Sequence, residues 1–181
     1  MSQIEIKKTI QGLETFPFRI RQEYYDWCIP ANIEAVTKYY QPDSNVTQGY
    51  LVTQFGDMPH IGFESIKTKV LDVDRNFSWA RIMYFKDSDF NQSFGKFVDF
   101  VQKCVDDSTP PMISVPAGGG SWHILTVVAY GDTHFLVYNP APHIITSQVP
   151  VSKSGIQTAL RAAKTLQDAA TDSLVLSRKS G

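Results

Sequence analysis

The sequence has few cysteines and almost no excess of charge, and both shortages exclude classes of protein. Cys28 and Cys104 are its 2 cysteines in 181 residues, so the chain has no framework of disulfides. The 17 basic residues nearly balance the 18 acidic residues, and the formal net charge is −1. Because a nucleic-acid-binding domain usually carries a basic stripe, we expect no nucleic-acid partner.

Long apolar runs and metal-binding spacings are also missing. No stretch approaches the roughly 20 apolar residues of a membrane-spanning helix, so we expect no membrane partner. The start of the chain lacks the pattern of a secretory signal, which predicts a cytoplasmic location or export by a route that leaves no readable signal peptide. The four histidines, His60, His123, His134 and His143, match no metal-ligand motif. We therefore expect no metal and no cofactor.

The chain otherwise has the composition of a globular protein, with 43% hydrophobic residues. Its length predicts a single domain over residues 1–181, and we expect a monomer. Helical patterns dominate the first part and strand patterns the last part, which is the order of an α+β fold. Besides the segments discussed below, we predict helices at 47–55, 62–70, 87–107 and 152–166, with Thr47 as the N-cap of the first and Asp89 as the N-cap of the third. Strands are predicted at 4–10, 80–85, 112–115, 144–149 and 174–176, an extended segment at 13–20, a turn at 41–44, and loops at 56–62 and 116–121.

Cys28 is predicted to lie at the start of a helix. Ile33, Val36 and Tyr40 follow it at spacings of three and four residues, which form one apolar helical face. Pro30 is tolerated only in the first helical turn, where no backbone N–H is needed. The N–H groups and dipole of a helix start favour a thiolate over a thiol, so Cys28 is a candidate nucleophile.

A side-chain amide precedes this cysteine. Gln22 lies six residues before Cys28 and is a neutral hydrogen-bond donor. The Gln22 amide and the Cys28 backbone N–H could both donate to an oxyanion that forms when the sulfur attacks a carbonyl.

Two β-rich segments joined at Gly131 and Asp132 indicate a hairpin. A three-residue loop, 131–133, would place Tyr130 opposite His134 and, further along, Leu125 opposite Asn139.

With this three-residue loop, His123 and Asn139 lie on the same face of the hairpin as diagonal neighbours. A two-residue loop would instead place them on opposite faces. The pairing of these two side chains therefore depends on the turn.

Together these features resemble the papain-like cysteine peptidase superfamily, most closely the branch typified by bacteriocin leader-processing peptidase domains. Three features carry the resemblance: Gln22 with five residues between it and Cys28, a helix that begins Cys-Ile-Pro-Ala, and a His123-led strand paired with a strand that ends Asn-Pro. The match spans roughly residues 15–145. This chain has Ile29 where the branch usually has glycine, and Asn139 where it usually has aspartate.

The resemblance implies a fold, an activity and a set of roles. The fold would be α+β and papain-like, with an N-terminal Cys-bearing helix packed against an antiparallel β-sheet that carries the catalytic histidine. The activity would be that of a cysteine peptidase acting on a protein or peptide substrate through a thioester. Cys28 would be the nucleophile, His123 the base, Asn139 its orienter and Gln22 an oxyanion donor.

Several alternatives remain at this stage. His143 is a rival base, and Asp132 is a rival orienter if the hairpin has another register. The same residues would serve a papain-like acyltransferase, and the fold could also be an inactive binding module or an effector protease delivered into a host cell. The loops at 41–62 and 116–121 are expected to set substrate specificity.

Overall fold

The computed structural model describes residues 4–56, 72–74, 77–85, 90–118, 121–167 and 171–178. The helices are a short 3-10 helix at Leu13–Thr15, α1 at Cys28–Tyr40, α2 at Gln48–Phe55, α3 at Phe90–Asp106 and α4 at Lys153–Gln167. The strands are β1 at Lys8–Thr9, β2 at Asp72–Asp74, β3 at Phe77–Phe85, β4 at Met112–Gly118, β5 at Ser121–Tyr130, β6 at His134–Tyr138, β7 at Gln148–Ser152 and β8 at Thr171–Arg178.

The strands form one sheet in which every pairing is antiparallel. The strand order is β2-β3-β8-β4-β5-β6-β7, and β1 pairs with β5 beyond the end of β4. Strand β5 lies near the centre and carries the predicted base. The predicted α+β class, a Cys-bearing helix packed against an antiparallel sheet, is confirmed.

Helix α1 forms where the apolar spacing predicts it and is almost entirely buried. Its apolar face, including Ile33 and Val36, packs with Leu51 of α2 and with Met112 and Ile124 of the sheet. Burial of each such aliphatic side chain contributes about 1.5–3 kcal/mol, so this contact fixes α1 firmly on β4 and β5.

A larger core cluster contains Phe97 and Val101 of α3, Ile156 of α4, and Leu125 and Val137 of the central hairpin. Adjacent residues of β5 point to opposite faces of the sheet, so Ile124 joins the α1 cluster while Leu125 joins this one. Strand β5 is therefore covered by apolar packing on both faces of the sheet.

Helix α2 begins where its capping residue predicts. The Thr47 hydroxyl accepts a hydrogen bond from the Tyr50 backbone N–H at 3.1 Å, as an N-cap threonine should. The predicted helices at 87–107 and 152–166 are also confirmed, with bounds that differ by one to three residues. The predicted helix at 62–70 and the predicted cap Asp89 lie outside the described residues.

Several predicted segments differ from the structure. Strand pairing near the N-terminus is limited to Lys8–Thr9, and the segment predicted as extended begins with the 3-10 helix. The predicted loop at 116–121 is largely strand, because Pro116 pairs with Trp122 at the tip of the β4–β5 hairpin. The strand predicted at 144–149 begins only at Gln148.

The late start of β7 has a physical cause. The Arg21 guanidinium donates to the carbonyls of Ala141, Ile144 and Ile145 at 2.9–3.3 Å, which holds this segment as a loop rather than a strand. Within the described residues, no helix is both long and apolar enough to cross a membrane.

Candidate active site

Cys28 is the first residue of α1, with Trp27 at the N-cap position. Its side chain is partly buried, and the backbone N–H of Ile124 on β5 is one of the groups that act to lower the pKa of its thiol. Ile29, the bulky residue beside it, is 5% exposed and belongs to the apolar core cluster of α1. The side chain that replaces the usual glycine therefore points into the core.

The β5–β6 hairpin brings His123 and Asn139 together by a different route from the one predicted. Tyr130 pairs with Phe135 instead of His134, so the predicted register is wrong by one residue near the turn. A bulge between Val127 and Ala129 then inserts one extra residue in β5, and Val127 pairs with Val137. Beyond the bulge the predicted register is restored.

The restored register places the two predicted site residues in contact. His123 Nε2 lies 2.7 Å from Asn139 Oδ1, within hydrogen-bond distance. The same oxygen accepts the backbone N–H of Ala141 at 3.1 Å, the local turn contact that an Asn before Pro140 often makes. Because a backbone N–H can only donate, the Ala141 contact identifies which atom of the Asn139 side-chain amide is the oxygen. Asn139 therefore stabilises its own turn and also contacts His123.

This contact determines the tautomer of His123. An amide oxygen only accepts hydrogen bonds, so His123 Nε2 must carry the hydrogen that it donates to Asn139 Oδ1. In the neutral ring the lone pair then belongs to Nδ1. Nδ1 is therefore the ring nitrogen that is available to act as a base.

Gln22 lies in a well-braced loop, and its amide does not have the predicted orientation. Its Nε2 donates to the backbone carbonyls of Tyr24 at 3.2 Å and Tyr25 at 2.5 Å. Its Oε1 is buried and has no hydrogen-bond partner among the described residues. In this conformation both amide hydrogens bind the 23–27 loop, and neither is available for an oxyanion.

The loop around Gln22 is held by its backbone. The Gln22 N–H donates to the Pro140 carbonyl at 3.0 Å, which ties this loop to the end of β6. The buried Gln48 side chain accepts from the Glu23 N–H at 2.9 Å and donates to the Arg21 carbonyl at 2.8 Å. The segments that carry Gln22, Asn139 and α2 therefore form one connected unit.

The electrostatics of the site favour neutral groups. Burial raises the pKa of the Cys28 thiol, although backbone N–H groups of Ile124, Ile29 and Cys28 act in the opposite direction. Burial also lowers the pKa of His123, and the hydrogen bond to Asn139 only partly offsets this. For the Cys28 thiol, the effect of burial is larger than that of these N–H groups, so it acts against the thiolate that the helix start favours.

Neither rival residue, Asp132 or His143, takes part in the hydrogen bond between His123 and Asn139. Asp132 lies at the turn of the hairpin, where its carboxylate pairs with Lys7 at 2.6 Å. His143 is exposed, but it lies close enough for its positive charge to lower the pKa of His123. The histidine that holds the Asn139 contact is His123.

Sequence reasoning missed two buried polar residues near Cys28, Asn32 and Thr126. Asn32 Nδ2 donates to the Cys28 carbonyl at 2.7 Å and the Ile124 carbonyl at 3.0 Å, and Thr126 Oγ1 donates to Asn32 Oδ1 at 2.6 Å. The available signal was an amide one helical turn after Cys28, in a segment otherwise dominated by apolar residues.

Comparisons with known proteins agree with this architecture. No family model matches the sequence, and no curated protein matches it. The peptidase domain of Streptococcus ComA, a bi-functional ABC transporter involved in a quorum sensing pathway, is 18% identical with a TM-score of 0.55. That alignment covers 86% of this chain and 96% of the ComA domain.

A second similar structure is a putative C39-like peptidase from Bacillus anthracis, at 12% identity and a TM-score of 0.51. The alignment covers 96% of this chain and 100% of the other. The TM-scores of these two matches establish the fold. Because the sequence identities are low, the matches do not establish the roles of individual residues. The chain therefore has the papain-like fold of these peptidase domains, which is the branch that the sequence resembles.

Proposed function

We propose that this chain is a cysteine peptidase that hydrolyses peptide or isopeptide bonds of a protein or peptide substrate. The observation that carries the proposal is the hydrogen bond between His123 Nε2 and Asn139 Oδ1, since it leaves Nδ1 as the base beside the helix that begins with Cys28. The papain-like fold supports the same reaction class.

The proposed reaction starts from a thiol and a neutral imidazole. His123 Nδ1 takes the Cys28 proton as the sulfur attacks the carbonyl, and the Cys28 backbone N–H donates to the oxyanion. The imidazolium then protonates the leaving amine, and a thioester remains on Cys28. His123 next takes a proton from water, which attacks the thioester, and the thiol and a carboxylate are released.

Gln22 remains the proposed second oxyanion donor, but this role requires a movement. Its amide must first release the carbonyls of Tyr24 and Tyr25, which hold both of its hydrogens at 3.2 and 2.5 Å. A substrate that displaces the 23–27 loop would provide this release, and the donor would then be available only in the substrate complex.

Analysis of cleavage products tests the proposal. The protein is incubated with a library of peptides in heavy-oxygen water, and new carboxyl termini are identified by mass spectrometry. We expect heavy oxygen in the new carboxylates, and no products from the Cys28→Ala or His123→Ala variant. His134→Ala is the matched control, because His134 lies at the turn end of the hairpin and bonds to Thr133.

A second candidate function is favoured by the electrostatics. A raised pKa of Cys28 and a lowered pKa of His123 describe a site without a preformed ion pair, as in a binding module that has kept the fold. Absence of products from every peptide, together with a Cys28 alkylation rate indifferent to His123→Ala, would replace the peptidase proposal with this one. Joined peptides without incorporated heavy oxygen would instead indicate an acyltransferase.

A further inference from the structure

The pairing of β5 with β6 ends before Ile124, so this residue has no strand partner on the β6 side. Thr126 pairs with Tyr138, and the same register would place Ile124 opposite Pro140. Pro140 has no N–H to donate, and its carbonyl already accepts the Gln22 N–H at 3.0 Å. The backbone of Ile124 therefore requires other hydrogen-bond partners at this edge.

Helix α1 supplies a partner for the carbonyl: the Ile124 carbonyl accepts Asn32 Nδ2 at 3.0 Å. The Ile124 N–H faces the Cys28 thiol closely enough to help lower the pKa of that group. Both main-chain groups of this residue point to the same edge of β5, as strand geometry requires. Since Ile124 directly follows His123, these contacts connect the nucleophile to the strand that carries the base.

The Asn32 amide is fully satisfied and wholly enclosed. It is 0% exposed, its Nδ2 also donates to the Cys28 carbonyl at 2.7 Å, and its Oδ1 accepts Thr126 Oγ1 at 2.6 Å. Thr126 is also 0% exposed. Because one amide bridges the first turn of α1 and two residues of β5, sliding of the helix along the strand would break two buried hydrogen bonds, those to Ile124 and Thr126, at once.

We propose that Asn32 is a positioning residue, oriented by Thr126, which holds Cys28 in register with His123 by bridging the Cys28 and Ile124 carbonyls. This inference rests on the proposed function, since a register between nucleophile and base matters only if they react together. Asn32 does not contact the reacting atoms and acts through the position of Cys28. A misplacement of about 1 Å between reacting groups can lower a rate by about 100-fold.

The matched variants Thr126→Val and Thr126→Ser test the inference, and Asn32→Leu is a third variant. Val keeps the volume of Thr126 and removes its hydroxyl, whereas Ser keeps the hydroxyl and removes a methyl group. A role in packing alone predicts that Ser is the more harmful substitution. A role in orienting Asn32 predicts the opposite order.

The readout is the rate at which iodoacetamide alkylates Cys28, measured across pH by mass spectrometry with and without His123→Ala. The His123-dependent part of the neutral-pH rate should fall by about 10- to 100-fold in Thr126→Val and Asn32→Leu. It should stay close to wild type in Thr126→Ser, and combining Asn32→Leu with Thr126→Val should add little. If Asn32→Leu does not fold, the Thr126 pair decides alone.

Two outcomes overturn the inference and can be distinguished. In the first, the alkylation rate of the wild type depends on His123, and this dependence survives in Thr126→Val or is lost equally in Thr126→Ser. This outcome rejects the positioning role and does not affect the peptidase proposal. A wild type indifferent to His123→Ala rejects both proposals together.

Discussion

Asn139 Oδ1 accepts two hydrogen bonds, one from the ring of His123 at 2.7 Å and one from its own turn at Ala141. Asn139→Ala removes both acceptor contacts, so the imidazole loses its fixed tautomer. We expect kcat to fall by about 10²-fold, at the low end of what positioned acid–base groups contribute. Steady-state kinetics measure the change, with the exposed Asn45→Ala as control.

Asn139→Asp distinguishes an orienter from a turn residue. A carboxylate retains the acceptor for His123 and adds a negative charge, which raises the pKa of the imidazole. We expect activity to persist, with its acidic limb shifted to higher pH. Equal loss of activity in the Asp and Ala variants would contradict the orienting role.

The pH profile of kcat/KM should show that the active form of the enzyme has a neutral His123 imidazole and a neutral Cys28 thiol. The base must be unprotonated, and the pKa of His123 is lowered below 6.5, mainly by burial. The pKa of Cys28 is raised above 9.0, also by burial, so the thiol persists to alkaline pH. Activity should rise with pH through a limb below 6.5 and fall through a limb above 9.0. This assignment would be contradicted if the acidic limb of the profile reported ionisation of the Cys28 thiol, which is shown by a titration that is present in the wild type and absent in Cys28→Ser.

His143 should influence that profile without being required for activity. Its positive charge is one of the factors that lower the pKa of His123, after burial. In His143→Ala the acidic limb should therefore shift upward, while kcat on the plateau should remain close to wild type. A large loss of plateau activity would restore His143 as a rival base.

Gln22→Ala tests the oxyanion donor. If the amide turns towards the substrate in the complex, its loss should lower kcat by about 10²–10³-fold. Its hydrogen bonds to Tyr24 and Tyr25 also brace the loop, so the free energy of unfolding should be measured in parallel by denaturant titration. A decrease in stability with unchanged kcat would show that Gln22 only supports the loop.

Gly131 is predicted to be intolerant of a side chain, independently of catalysis. A Cβ there would lie 1.9 Å from the Glu5 carbonyl oxygen, because the N-terminal segment crosses directly over the turn. Gly131→Ala should lower the free energy of unfolding by about 1–3 kcal/mol. Gly49→Ala is the matched control: its Cβ meets nothing within 4 Å, and it lies in α2, where alanine should stabilise by up to about 1 kcal/mol.

The sequence predicted the elements whose signals are local. The helix from Cys28 to Tyr40 and the cap at Thr47 follow from apolar spacing and side-chain chemistry within a few residues. The pairing of His123 with Asn139 was also anticipated, although the turn register used to argue it was wrong.

The errors arise where distant residues decide the structure. Nothing near Ile144 indicates that Arg21, more than a hundred residues away, occupies its carbonyl. The orientation of the Gln22 amide depends on how the 23–27 loop folds back, and the raised pKa of Cys28 depends on burial by the whole domain. A helix start favours a thiolate only when water or a charged partner stays near, and tertiary packing removed that advantage.

The extra residue in β5, Val128, divides the β5–β6 hairpin into two parts with different pairing registers. Between the bulge and the turn, the residues of β5 and β6 pair in one register, and on the side of His123 they pair in a register shifted by one residue. A change in turn length therefore need not reach His123, provided the bulge moves or vanishes to absorb it. Conversely, loss of Val128 alone would rotate every side chain between the bulge and one end of the strand to the opposite face. The spatial relation of His123 and Asn139 is thus separated from the length of the loop that joins them, and depends on a single residue of β5, Val128, that has no partner on β6.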